Sequence, residues 1–128
     1  MSEKKIIAAI GGDRRLVEAT RRFADDNTVL SYGWDNCSEI YKRIKRCGTL
    51  KEAVENADII LLGLPCSPDG KMIAAPLCDV AISIENVIGT AKKDTVICGG
   101  MLPQSITDNF NKCIDYYKEY AKYYKLIK

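Results

Sequence analysis

Three apolar runs of strand composition end directly in glycine or proline, and this pattern constrains the fold more than any other feature of the chain. Ile6 to Ile10 runs into Gly11-Gly12-Asp13. Ala57-Asp58-Ile59-Ile60-Leu61-Leu62-Gly63-Leu64 runs into Pro65, and Thr95-Val96-Ile97-Cys98 runs into Gly99-Gly100. In none of them do apolar side chains alternate with polar ones. A strand with one face in water alternates, so these runs read as strands covered on both faces, the condition met at the centre of a parallel sheet.

Helical patterns lie between the runs, as parallel strands require. Asp13 is placed to cap a helix in which Leu16, Val17, Thr20, Phe23 and Ala24 recur at helical spacing, up to Asp25-Asp26-Asn27. Thr28 to Tyr32 reads as a further strand, stopped by Gly33. Thr49 with Glu52 three residues later makes a capping-box pattern before Leu50 to Glu55, and Ser83 is placed to cap a helix over Ile84 to Ala91. Asp35 to Cys47 suits either a short helix or an irregular loop, with Ile40 and Ile44 four apart among Lys42, Arg43, Lys45 and Arg46. Phe110, Ile114, Tyr117, Ala121 and Tyr124 are spaced as one stripe of a long terminal helix, ending in Lys122, Lys125 and Lys128. These elements predict a single α/β domain with an open, mostly parallel sheet and helices on both faces.

Composition narrows the function classes. The chain has 128 residues, 47% of them hydrophobic, enough for one core. A net charge of +2 gives no ground for nucleic-acid or membrane attraction, and no run approaches the roughly 20 apolar residues of a membrane span. There is no histidine, so neither a Ser-His-Asp nor a Cys-His catalytic set can be built from this chain. Six cysteines without a CxxC pair predict reduced, mostly buried thiols in a cytoplasmic protein, with no structural zinc. Cys66 has no evident base to activate it as a nucleophile, and no catalytic residue is identified.

Three loops, Gly11-Gly12-Asp13, Leu64 to Gly70 and Gly99 to Pro103, follow three sheet strands and so belong at one carboxyl edge, where open α/β sheets bind small ligands. Gly11 and Gly12 allow close backbone approach, and the helix start together with Arg14 or Arg15 suits a carboxylate or phosphate. Ser67 offers a hydroxyl, Gly70 flexibility, and Gly99-Gly100 a further close approach. The bland counterpart is a set of tight turns, an aspartate cap and solvated arginines. A receiver domain shares the strand-helix order, but the Ile59–Leu64 run ends in Leu-Gly-Leu-Pro rather than an aspartate. Tyr116, Tyr117, Tyr120, Tyr123 and Tyr124 fall on too many helix faces for one core stripe, which points to a covering partner or neighbouring domain. The rival function is a non-catalytic interaction module that pairs through this helix or the sheet edge with another copy or subunit.

Ile10-Gly11-Gly12-Asp13-Arg14-Arg15, the Asp58-Ile59-Ile60-Leu61 run leading into Leu64-Pro65-Cys66-Ser67, then Gly70 and Gly99, resemble the N-terminal domain of the dipicolinate synthase A-subunit over nearly the whole chain. The resemblance implies a flavodoxin-like, Rossmann-related domain similar to the substrate domains of 2-hydroxyacid dehydrogenases. In that family it precedes a dinucleotide domain, and the full subunit works with a second synthase subunit to make dipicolinate in spore-forming bacteria. By position, Gly11, Gly12, Asp13 and Arg15 match the first motif, and Pro65, Ser67 and Gly70 the second. No G-x-G-x-x-G occurs here. The resemblance therefore implies that NAD(P) binds on a separate or missing domain, with no cofactor or metal on this chain, and that this chain alone does not transfer hydride. A small carboxylated metabolite is the implied ligand.

Overall fold

The computed structural model describes residues 4–38 and 42–117. Its strands are β1 (Ile6–Ile10), β2 (Thr28–Tyr32), β3 (Ile44–Arg46), β4 (Ile59–Leu61), β5 (Val96–Gly99) and β6 (Lys112–Asp115). Its helices are α1 (Arg14–Phe23), α2 (Leu50–Val54), α3 (Ile84–Thr90) and α4 (Gln104–Thr107). All strand pairs are parallel, in the order β3-β2-β1-β4-β5-β6. The chain builds outward from β1 to β3, returns, and builds outward again from β4 to β6. The direction reverses between β1 and β4, and a crevice opens there at the carboxyl ends of the strands.

The helix starts lie where local chemistry directs them. Asp13 Oδ1 accepts from the Arg15 amide at 2.9 Å, Thr49 Oγ1 from Glu52 at 3.2 Å and Ser83 Oγ from Asn86 at 3.1 Å. The Glu52 carboxylate turns to Lys45, 3.1 Å away, so Thr49 provides the side-chain cap without the reciprocal half of a capping box. At the other edge of the sheet, the Asp58 carboxylate accepts from the Ile6 amide at 2.9 Å and pairs with Lys92 at 2.7 Å, which holds it below the usual aspartate range.

The two faces of the sheet are covered unequally. Ala8, Ile10, Ile60, Leu62 and Ile97 pack beneath α2, α3 and α4 in one buried cluster. On the opposite face Ile7, Ala9, Val29 and Ile44 pack against Leu16 and Val17 of α1, with Trp34 and Cys37. That second cover stops at β4. Ile59, Leu61, Val96 and Cys98 on this face are only half-buried, and Ile114 is 51% exposed. The apolar runs of β4 and β5, expected to be covered on both faces, are thus fully covered on one.

Two elements depart from the sequence reading. Among the described residues of Asp35 to Cys47 there is neither the short helix nor a wholly irregular loop. Ile44–Arg46 is an edge strand, because β2 offers it unpaired backbone and Ile44 fills the α1-side cluster; residues 39–41, with Ile40, lie outside the described residues. The long terminal helix is corrected in its start: residues 110–115 are not helical, while Tyr116 and Tyr117 are. Phe110 closes the turn after α4, its amide donating to the Ile106 carbonyl. Lys112–Asp115 then pairs with β5. Cys113 turns toward the α2–α4 side and Ile114 toward the other, a period of two rather than 3.6. Tyr120, Ala121, Lys122, Tyr123, Tyr124, Lys125 and Lys128 lie outside the described residues.

Candidate functional site

The three glycine- or proline-ended loops do meet at one edge, since β1, β4 and β5 are parallel neighbours. Gly11 and Gly12 both adopt positive φ, 64° and 76°, which turns the chain from β1 into α1 within two residues. Their amides are spoken for: Gly11 N–H donates to Tyr32 O and Gly12 N–H to Ala74 O, each at 2.8 Å. The Gly11 carbonyl accepts from the buried indole of Trp34, also at 2.8 Å. Gly12 and Gly63 face each other across the crevice; a Cβ on Gly63 would stand 3.1 Å from Gly12 Cα.

The second and third loops are laced together. Gly100 N–H donates to Gly63 O, and Cys66 N–H donates to Gly100 O. The Asp115 carboxylate, at the end of β6, accepts from the amides of Met101 and Leu102 at 3.1 and 2.8 Å. Met101 sits at φ 56°, an unusual conformation for a residue with a side chain, and Asp115 holds it there. Ser67 Oγ accepts from Gly70 N–H at 2.8 Å and contacts Asp69, while Gly70 O accepts from Ser105 Oγ. Ser67, Gly70, Gly99 and Gly100 therefore shape the edge through bonds to the protein itself. Leu64-Pro65 is a cis peptide.

Arg15 spans the crevice. Its Nε and Nη2 donate to Asp13 Oδ2 at 3.0 and 2.8 Å, and Nη2 also reaches the Leu64 carbonyl at 2.9 Å. The side chain remains 72% exposed. The hydrogen bond and charge of Arg15 lower the Asp13 pKa, and Asp13 raises that of Arg15. Arg14 is exposed and lines neither of the two cavities that Arg15 borders.

One of these cavities, about 150 Å³, lies at the carboxyl edge between Gly12, Gly63, Pro65, Ala74 and Pro76. The other, about 360 Å³, is an apolar groove on the half-covered face. Leu61 and Cys98 form its floor, Leu16, Ala19 and Phe23 of α1 one wall, and Tyr116 the other. Tyr116 donates to the Leu62 carbonyl at 3.1 Å, and burial pushes its pKa up to about 12. Arg15, Asp13, Gly63 and Leu64 border both cavities.

The structure thus gathers Gly11, Gly12, Asp13, Arg15 and Pro65 at the β1–β4 crevice. The roles of the Leu64 carbonyl, Trp34, Asp115 and Tyr116 had no signal in the sequence, since each acts on a group far away in the chain. Burial pushes the Cys66 thiol up to about 11, away from nucleophilic use. Among the described residues no group of three or more His, Cys, Asp or Glu is placed to hold a metal ion, and no helix is long and apolar enough to cross a membrane. A dinucleotide pyrophosphate needs free amides at the first strand-helix turn. Here the Gly11, Gly12 and Arg15 amides already have protein acceptors, and the Asp13 carboxylate caps the helix start, so these residues do not fit that group.

A family model described as the N-terminal domain of the dipicolinate synthase A-subunit matches residues 6–120. The chain belongs to this family. Among solved structures, the A-subunit of dipicolinate synthase from Bacillus subtilis is similar over 90% of this chain, with a TM-score of 0.75 at 16% identity. The A-subunit of dipicolinate synthase from Bacillus halodurans is similar over 89%, with a TM-score of 0.74 at 17% identity. Both likenesses establish the Rossmann-like fold. This chain spans 41% of the length of each of those two chains. No curated protein matches the chain.

Proposed function

We propose that this domain is the substrate side of an oxidoreductase subunit, and that it holds a small carboxylated metabolite of the dihydrodipicolinate type at the β1–β4 crevice during dipicolinate formation in sporulation. One observation carries the reading: the Arg15 guanidinium is fixed at the cavity mouth through Nε and Nη2, while among the described residues none takes up Nη1. With Nε and Nη2 engaged by the protein, the N–H bonds of Nη1 are the donors left for a carboxylate. The names of the similar solved proteins, both dipicolinate synthases, support the choice of ligand. The first loop does not suit a pyrophosphate, so a nicotinamide dinucleotide is assigned to polypeptide other than these residues. A cytoplasmic location belongs to the same reading.

Calorimetric titration of the chain with pyridine-2,6-dicarboxylate tests it, with the fluorescence of Trp34, the single tryptophan, as a second readout on the loop it bonds to. Saturable binding is expected, weakened about tenfold or more in Arg15→Ala, since the variant removes the charge-assisted donors that face the ligand. No saturable heat, or an unchanged affinity in Arg15→Ala, overturns the reading.

The apolar groove favours a second reading, an interaction module that pairs with a second copy of the chain. Phe23 (44% exposed), Ile114 and Tyr116 are large hydrophobic side chains exposed on this one face. Sedimentation velocity should then show a concentration-dependent dimer that Phe23→Glu abolishes. A monomer throughout the micromolar range argues against it.

A further inference from the structure

An aspartate at the mouth of an anion site is at first sight misplaced, because it repels what the site is meant to hold. The geometry resolves this. Both carboxylate oxygens of Asp13 are committed inward: Oδ1 to the Arg15 amide at 2.9 Å, and Oδ2 to Nε and Nη2 of the same arginine at 3.0 and 2.8 Å. The Leu64 carbonyl, on the far side of the crevice, takes Nη2 as well at 2.9 Å. We propose that Asp13 is a positioning residue: it does not touch the ligand but holds the exposed Arg15 side chain across the crevice, with Nη1 turned to a ligand carboxylate. This deepens the reading of Arg15 as the carboxylate-binding group and rests on it.

The physical reason lies in the exposure of the arginine. A long side chain standing 72% in solvent has many rotamers open to it and loses that freedom when it binds. Asp13 and the Leu64 carbonyl remove the freedom in advance. The pairing offsets both charges locally, so the incoming anion meets directed N–H donors of a near-neutral pair rather than a bare carboxylate. One residue serves the helix start and the guanidinium together, which ties the orientation of Arg15 to the rigid end of α1 rather than to a loop.

The test is a double-mutant cycle on binding of pyridine-2,6-dicarboxylate, read by calorimetry and Trp34 fluorescence. Asp13→Asn and Asp13→Ser both retain an N-cap oxygen, so thermal melting should stay close to that of the unmodified chain. Their affinity should nevertheless fall about three- to tenfold. In an Arg15→Ala background the same substitutions should change affinity by less than about twofold, because no guanidinium is left to position. A helix cap acting only on structure would weaken binding equally in both backgrounds. Unchanged or tighter binding in Asp13→Asn and Asp13→Ser, with Arg15→Ala still weakened, overturns the positioning role and leaves the carboxylate reading standing. Unchanged binding in Arg15→Ala removes both.

Discussion

Gly12→Val is expected to destabilise the domain by about 3 kcal/mol or more and to lower its melting temperature by about 10 °C. At φ 76° a β-branched side chain is strained whatever surrounds it. The surroundings add to that. A Cβ at this position would lie 2.5 Å from Leu16 Cδ2 and 2.9 Å from Leu16 Cβ, and Leu16 is itself part of the α1-side core. Leu16 cannot turn away without opening that cluster, and the Gly12 backbone cannot retreat because Gly63 closes the other side. Gly89→Ala is the matching control. Gly89 lies in α3 with nothing within 4 Å of a built Cβ. Replacing a helical glycine there should raise stability by about 0.5–1 kcal/mol. Thermal melting of the two variants should therefore move in opposite directions, and a Gly12→Val protein melting with the unmodified chain would refute the account of this turn.

Ile60→Ala and Ile114→Ala should differ by about 3 kcal/mol, although both change an isoleucine in a strand of the same sheet. Ile60 is fully buried on the face covered by α2, α3 and α4, so truncation leaves a cavity as well as losing transfer free energy, about 3–4 kcal/mol in all. Ile114 is 51% exposed on the half-covered face, and its truncation should cost less than about 0.5 kcal/mol. Urea unfolding would show the first as a large drop in midpoint at unchanged slope and the second as almost none. Equal losses would mean that the face under the apolar groove is covered in solution. That outcome would bear directly on the second reading of function.

The parts of the fold legible in the sequence are those set by short-range chemistry. Ile6–Ile10 and Thr28–Tyr32 have the bounds their composition predicts, and Asp13, Thr49 and Ser83 cap the helices they precede. The edge strands were not legible. Ile44–Arg46 is three residues long, and Lys112–Asp115 sits inside a 4-3-4-3 apolar spacing that suits a helix as well. Each becomes a strand because a neighbouring strand already presents unpaired amides and carbonyls, a condition no local window contains. The start of the terminal stripe shows this most clearly: Ile114 shares a helical period with Tyr117, which is helical, yet Cys113 and Ile114 fall on opposite faces of the sheet.

The candidate site divides in the same way. That a ligand edge would form from the loops after three apolar strands followed from strand direction, which the parallel pattern dictates. Which of two adjacent arginines would face the crevice did not follow, because it depends on the carbonyl of Leu64, 49 residues away. The unbroken apolar character of Ile59–Leu61 and Val96–Cys98 determined that these strands lie at the heart of a parallel sheet. It did not determine that one of their faces would remain half open, because the cover on a strand is supplied by helices elsewhere in the chain. Local sequence set the strands, caps and turns, whose energetics close within a few residues. The tertiary structure decided the edges, the unequal faces and the aim of Arg15, each of which waits on a partner brought from far along the chain.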